Sequence, residues 1–110
     1  MDTSCIFCKI ISGQVETNKI DETEDCIVIP DISAQAPIHL LFVSKTHGEE
    51  FASVDAAKLS RMMGKVKAVI QDKKLDQLSY RVIMNGVGAT IVHNHLHIHL
   101  LGSVSHDRPV

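Results

Sequence analysis

The chain has no tryptophan, and aromatic residues make up only 4% of its 110 positions. That scarcity removes the stacking platforms on which single-stranded nucleic acids are held. No block of lysine or arginine occurs, and the formal net charge is -2. Neither nucleic acid nor an anionic membrane is therefore an expected partner, whereas a small charged ligand is compatible with this charge. The segment MDTSCIFCKIISG carries an early acid and polar residues but no long apolar run. It reads neither as a signal peptide nor as a membrane span, which favours a cytoplasmic location. Cysteines number three, an odd count that does not suggest a disulfide framework. Cys5-x-x-Cys8 reads as a metal or redox pair, and Cys26, within the apolar run CIVIP, as a buried inert thiol.

Hydrophobic residues account for 45% of the chain, enough for one domain over 1–110 with a real core. A homodimer is a natural way to cover the apolar surface that so short a chain leaves exposed. Residues 5–11 predict a short helix closed by Gly13. Residues 19–22 and 26–29 predict two strands joined by the acidic turn Thr23-Glu24-Asp25. Pro37 ends the loop ISAQAP, and 38–44 predicts a strand in which His39 is the one polar side chain of IHLLFV. Leu59, Met62, Met63, Val66, Val69 and Ile70 recur at helical spacing, giving a long helix from Ser53 or Asp55 to about Lys73. Gly64 within it implies either close packing or a tolerated weakness. Residues 78–84 predict another strand, Asn85-Gly86-Val87-Gly88 a turn, and the histidine run the last strand. The order implies an α+β fold with an antiparallel sheet of about five strands, one long helix and one short helix.

The most unusual feature is VHNHLHIHLLG, in which His93, His95, His97 and His99 occupy every second position. On a strand these rings share one face, spaced by about 7 Å, while Leu96, Ile98 and Leu100 point the other way. Two registers of a three-histidine pattern are available, and His95-Leu-His97-Ile-His99-Leu-Leu, with apolar spacers throughout, fits better than the one beginning at His93. With CIFCKIISG, DISAQAPIHLLFVSKTH and RVIMNGVG in order before it, the chain resembles the histidine triad (HIT) family, specifically its Hint-like branch.

The resemblance implies a HIT-like fold and a purine-nucleotide ligand. It also implies hydrolysis of the P–N bond at the α-phosphate of AMP-amide or AMP-lysine-type substrates through a nucleotidyl-histidine. His97 would be the nucleophile, its second nitrogen held by a backbone carbonyl. His99 would support the phosphate, and His39, otherwise readable as a core histidine, would handle the leaving-group proton. Asp31, otherwise a turn-capping residue, would take the ribose hydroxyls. Ile6, Phe7, Ile10, Ile32 and Leu41 would wall the base, and Asn85, Gly88 and Thr90 would approach the phosphates. Relatives with a CxxC pair imply a structural zinc on Cys5, Cys8, His47 and His95, with no metal needed for the chemistry. His93 and His106 are expected at the surface. Alternative readings are a dinucleoside polyphosphate hydrolase of the same family, a nucleotide-binding scaffold with low turnover, and a metal-dependent hydrolase built on the histidine cluster.

Overall fold

The computed structural model describes residues 4–89 and 94–104. Helix α1 spans Ile6–Ile11, with Cys5 as its N-cap. Past its end, Gly13 takes a φ of 86, the left-handed conformation that glycine adopts without steric cost. Strands β1 (Asp21–Glu22), β2 (Cys26–Pro30) and β3 (Ile38–Ser44) follow, then helix α2 (Ala56–Asp72). A single 3-10 turn over Leu75–Gln77 leads to β4 (Tyr80–Ile83), and β5 (His97–Gly102) closes the sheet. The strands lie in the order β1-β2-β3-β5-β4, every pair antiparallel. This is the anticipated five-stranded α+β arrangement with one long and one short helix.

Several boundaries contract against the sequence pattern. The first strand keeps only Asp21 and Glu22 of its four expected residues, although Ile20 N–H still donates to Val28 O at 2.8 Å. The fourth strand starts at Tyr80 because the 3-10 turn carries Leu78 at its end. Asp55, one of two candidate caps, is the one used: its Oδ2 accepts from Lys58 N–H at 3.1 Å. A Cβ on Gly64 would meet no atom within 4 Å, so this glycine is a tolerated weakness and not a close-packing device.

Alternation along the strands sends side chains to two cores. Val28, Leu40, Phe42, Ile98 and Leu100 pack under α2 against Met62, Val66 and Ile70. Ile27, Ile29, Leu41 and Val43 pack on the opposite face against Cys5, Phe7 and Cys8 of the α1 region. Cys26 is fully buried in the α2 core, and that burial pushes its thiol up, the behaviour of an inert cysteine. Among the described residues, no helix is long and apolar enough to cross a membrane.

Candidate active site and metal centre

The histidine run does not continue as one strand. Asn94 adopts a φ of 53, and His95 makes only an isolated bridge to Glu49, so β5 begins at His97. Asparagine is among the few residues that accept this left-handed geometry at low cost. The expected stripe is thereby divided: His97 and His99 stay on the sheet face under α1, while His95 joins a different group. His93, His106 and Thr90 lie outside the described residues.

Register sets the geometry of the sheet histidines. His97 sits opposite Val43, His99 opposite Leu41, and His39 opposite Leu101, which places all three on one face of the β3/β5 pair. The His97 and His99 ring centroids are 5.2 Å apart, as are those of His39 and His99.

Hydrogen bonds then assign each ring proton. His97 Nδ1 lies 2.8 Å from the carbonyl oxygen of His95. A carbonyl only accepts, so Nδ1 carries the proton and Nε2 holds the lone pair. His39 Nδ1 accepts from the backbone N–H of Gln35 at 3.0 Å, which places the His39 proton on Nε2. That atom donates to His99 Nδ1 at 2.9 Å, leaving the His99 proton on Nε2. Burial, followed by the neighbouring His97 and His39, pushes the His99 pKa down to about 4, with Asp31 opposing the shift. His99 is therefore a neutral donor at physiological pH. The pair presents a nitrogen lone pair on His97 beside an N–H on His99.

Both rings line a cavity of about 490 Å³, within the usual size range of small-molecule sites. Ile6, Phe7, Ile10, Asp31, Ile32, Leu41 and Asn85, all anticipated from the sequence, line it too. Gly88 does not; its φ of 97 makes the turn before the lining residue Ala89. His39 lies behind His99, buried and outside the lining, and touches two lining residues, His99 Nδ1 at 2.9 Å and Asp31 Oδ2 at 3.3 Å. Pro30, beside Asp31, also lines the cavity, and Val15, Glu16, Thr17, Ile29 and Ser33 line it without having been singled out. Ile29 was findable, since alternation from Ile27 puts it on the α1 face. The segment from Val15 to Thr17 carries no motif that would have marked it.

A second group forms where His95 turns away from the strand. Cys5, Cys8, His47 and His95 bring their donor atoms within 4.8 Å of one another and can hold a metal ion. Cys5 Sγ to His95 Nδ1 is 3.3 Å, Cys8 Sγ to His47 Nδ1 is 3.3 Å, and the two Nδ1 atoms are 3.4 Å apart. Tetrahedral zinc with these ligand types needs edges of roughly 3.3–3.8 Å. His95 is also in the right protonation state. Its Nε2 donates to Ser44 O at 2.7 Å, so Nδ1 faces the thiols with its lone pair, and burial holds its pKa below the ordinary value.

Asp31, His39 and His99 make another close set of ligand types. Here the donors do not fit a cation. The Gln35 N–H on His39 Nδ1 keeps the ring proton on Nε2, the atom a metal would need bare. This hydrogen bond weighs against the metal-dependent hydrolase reading.

On the wall of this cavity, the bare nitrogen of His97 can attack an electrophile and the His99 N–H beside it can donate to an oxygen of the same group. The HIT domain family matches residues 12–106, and the chain belongs to the HIT family. It is 40% identical over 101 residues to an uncharacterized HIT-like protein of Chlamydia muridarum, covering 88% of this chain and 79% of that one. It is 35% identical over 105 residues to the adenosine 5′-monophosphoramidase HNT1 of Candida albicans, covering 89% of this chain and 69% of the relative. The solved structure of a HIT family hydrolase from Clostridium thermocellum superposes with a TM-score of 0.84 at 32% identity, covering 100% of this chain and 99% of that one.

Proposed function

We propose that this HIT-family nucleotide hydrolase cleaves the P–N bond at the α-phosphate of AMP-amide or AMP-lysine-type substrates through a covalent nucleotidyl-His97. The observation that carries the reading is the 2.8 Å bond from His97 Nδ1 to the His95 carbonyl, which leaves Nε2 as the attacking lone pair. His97 Nε2 bonds to phosphorus, the P–N bond to the leaving group breaks, and its electron pair departs with the nitrogen, which takes a proton from solvent to become the free amine, a proton that the water of the second step returns. Water then attacks phosphorus, the bond to His97 breaks, and AMP leaves. His99 Nε2–H donates to a phosphate oxygen as charge shifts onto it. The apolar wall of Ile6, Phe7, Ile10 and Leu41 suits a base, and the relatives named adenosine 5′-monophosphoramidase support the substrate class.

Zinc is the ion proposed for Cys5, Cys8, His47 and His95, where it would act as a closed structural ligand set and supply no chemistry at phosphorus. The free cysteines suit a reducing compartment, which supports the cytoplasm. Tyr80 and Val82 lie exposed on β4, one of the two edge strands, an edge suited to a second copy in a homodimer.

The test is to mix the protein briefly with AMP-amide, an AMP-lysine analogue and diadenosine polyphosphates, quench in acid and measure intact mass. A gain of one nucleotidyl group, localised to His97 and lost in His97→Gly, is the expected result. Turnover of none of these substrates would overturn the reading, and selective turnover of the polyphosphates would move it to the other hydrolase class.

A further inference from the structure

Asp31 is held from two sides. Its Oδ1 accepts from the Ser33 backbone N–H at 2.8 Å, which ties the carboxylate to its own loop. Its Oδ2 lies 3.3 Å from His39 Nε2, the atom that also donates to His99 Nδ1 at 2.9 Å. Because the Gln35 N–H occupies His39 Nδ1, His39 has one ring proton, shared between a carboxylate and an imidazole. A single N–H cannot give full strength to both acceptors. Asp31 also lines the cavity with its side chain 18% exposed, so hydroxyl donors of a bound ligand can reach it.

We infer that ribose hydroxyls donating to Asp31 draw the carboxylate away from His39, commit the His39 proton to His99 Nδ1, and so strengthen the bond His99 Nε2–H gives to phosphate. The inference rests on the nucleotide-hydrolase reading and adds to it a coupling between the sugar end and the phosphate end of one ligand. No proton changes owner; hydrogen bonds are redistributed along Asp31, His39 and His99. Donation into one imidazole nitrogen polarises the ring and makes the N–H on the other side a better donor. Asp31 is thus a positioning residue for His99 as well as a contact for ribose. Part of the sugar's binding energy then appears only when charge develops on phosphate, as kcat and not merely as KM.

The experiment compares AMP-amide with its 2′,3′-dideoxy analogue on the natural protein, on His39→Gln and on Asp31→Asn, each checked for folding by circular dichroism. On the natural protein, removal of the hydroxyls should raise KM and lower kcat about three- to tenfold, the size of one adjusted hydrogen bond. In both variants the kcat ratio between the two substrates should fall towards one while the KM difference persists in His39→Gln. An unchanged kcat on the natural protein, or a kcat ratio unaltered by His39→Gln, would overturn the coupling. A second readout does not need turnover: imidazole ¹⁵N shifts of His99 should differ between complexes with AMP and with 2′,3′-dideoxy-AMP. Equal shifts would overturn the coupling. Failure of the natural protein to hydrolyse either amide, with the shifts still different, would instead overturn the hydrolase reading.

Discussion

The sheet face under α2 and the face under α1 are made from the same strands, and alternate residues of β5 go to one or the other. Ile98 and Leu100 enter the α2 core, where their neighbours on β2 and β3 are Val28, Leu40 and Phe42, all buried and apolar. His97 and His99 face α1 beside Leu41 and Val43, and there the sheet also carries His39. One face is closed by seventeen residues of helix, the other by a six-residue helix that leaves a cavity open over the histidines. The difference teaches how the site is held. The packed face fixes strand register, and register fixes which side chains meet on the open face, because a one-residue slip would exchange the two sets.

The largest effects should separate the faces cleanly. His97→Ala should lower hydrolysis by at least about a thousandfold while costing about 1–2 kcal/mol of stability, the loss of one buried hydrogen bond. Phe42→Ala, on a fully buried α2-face residue, should cost about 3–5 kcal/mol. Initial rates and denaturant melts on both variants check the contrast. A His97 variant that melts as badly as the Phe42 variant would break it.

Chelation probes the tether of the open face. His95 contributes its ring to the cluster with Cys5, Cys8 and His47 and its carbonyl to His97, and Phe7 on α1 packs edge-on to both rings, with centroids 5.4 and 4.9 Å away. Removing an ion present at roughly 200 times its Kd should cost about 3 kcal/mol. Amide exchange should rise in α1 and hardly change in α2. Uniform loosening of both helices would show that the faces are not independently held.

His99 gives the open face a pH signature that the apolar face lacks. Its folded pKa of about 4 lies below the unfolded value near 6.5, so between these limits the unfolded chain binds more protons. The stability it contributes is therefore complete above pH 6.5 and lost as pH falls towards 4, on the order of 3 kcal/mol. Melts of the natural protein and His99→Asn across this window should converge at the acid end. Parallel curves would assign the acid sensitivity to other groups.

Much of this contrast was legible in the sequence, and the parts that were not have physical reasons. Period-two alternation in IHLLFV and HLHIHLL assigns residues to faces without knowing which helix covers them, since the pleat alone decides it. The nine singled-out residues that line the cavity came from four motif blocks: CIFCKIISG, DISAQAPIHLLFVSKTH, RVIMNGVG and the triad. What alternation could not show is the break at Asn94, because a left-handed residue inside an otherwise regular pattern has no periodic signal. Nor could it show the Gln35 contact to His39, which uses a backbone N–H and is blind to side-chain identity. The Val15 to Thr17 wall follows from where the chain goes after Gly13, a tertiary outcome.

The smallest effect sharpens the comparison from the packed side. Gly64 lies in α2, whose inward residues Met62, Val66 and Ile70 are buried, yet an added Cβ at Gly64 would meet nothing within 4 Å. Its φ is not positive, so alanine needs no backbone adjustment. Gly64→Ala should therefore stabilise by about 1 kcal/mol, through helix propensity alone. Gly102 is the counterexample within the same core: a Cβ there would stand 3.0 Å from both Ile38 Cβ and a Leu75 methyl, so Gly102→Ala should destabilise. The gain at Gly64 should also leave hydrolysis unchanged, because stiffening α2 alters neither the β3/β5 register nor the α1 side of the sheet. A Gly64→Ala protein that is more stable but slower would mean that the open face draws on flexibility in α2, and the division between the two faces would fail.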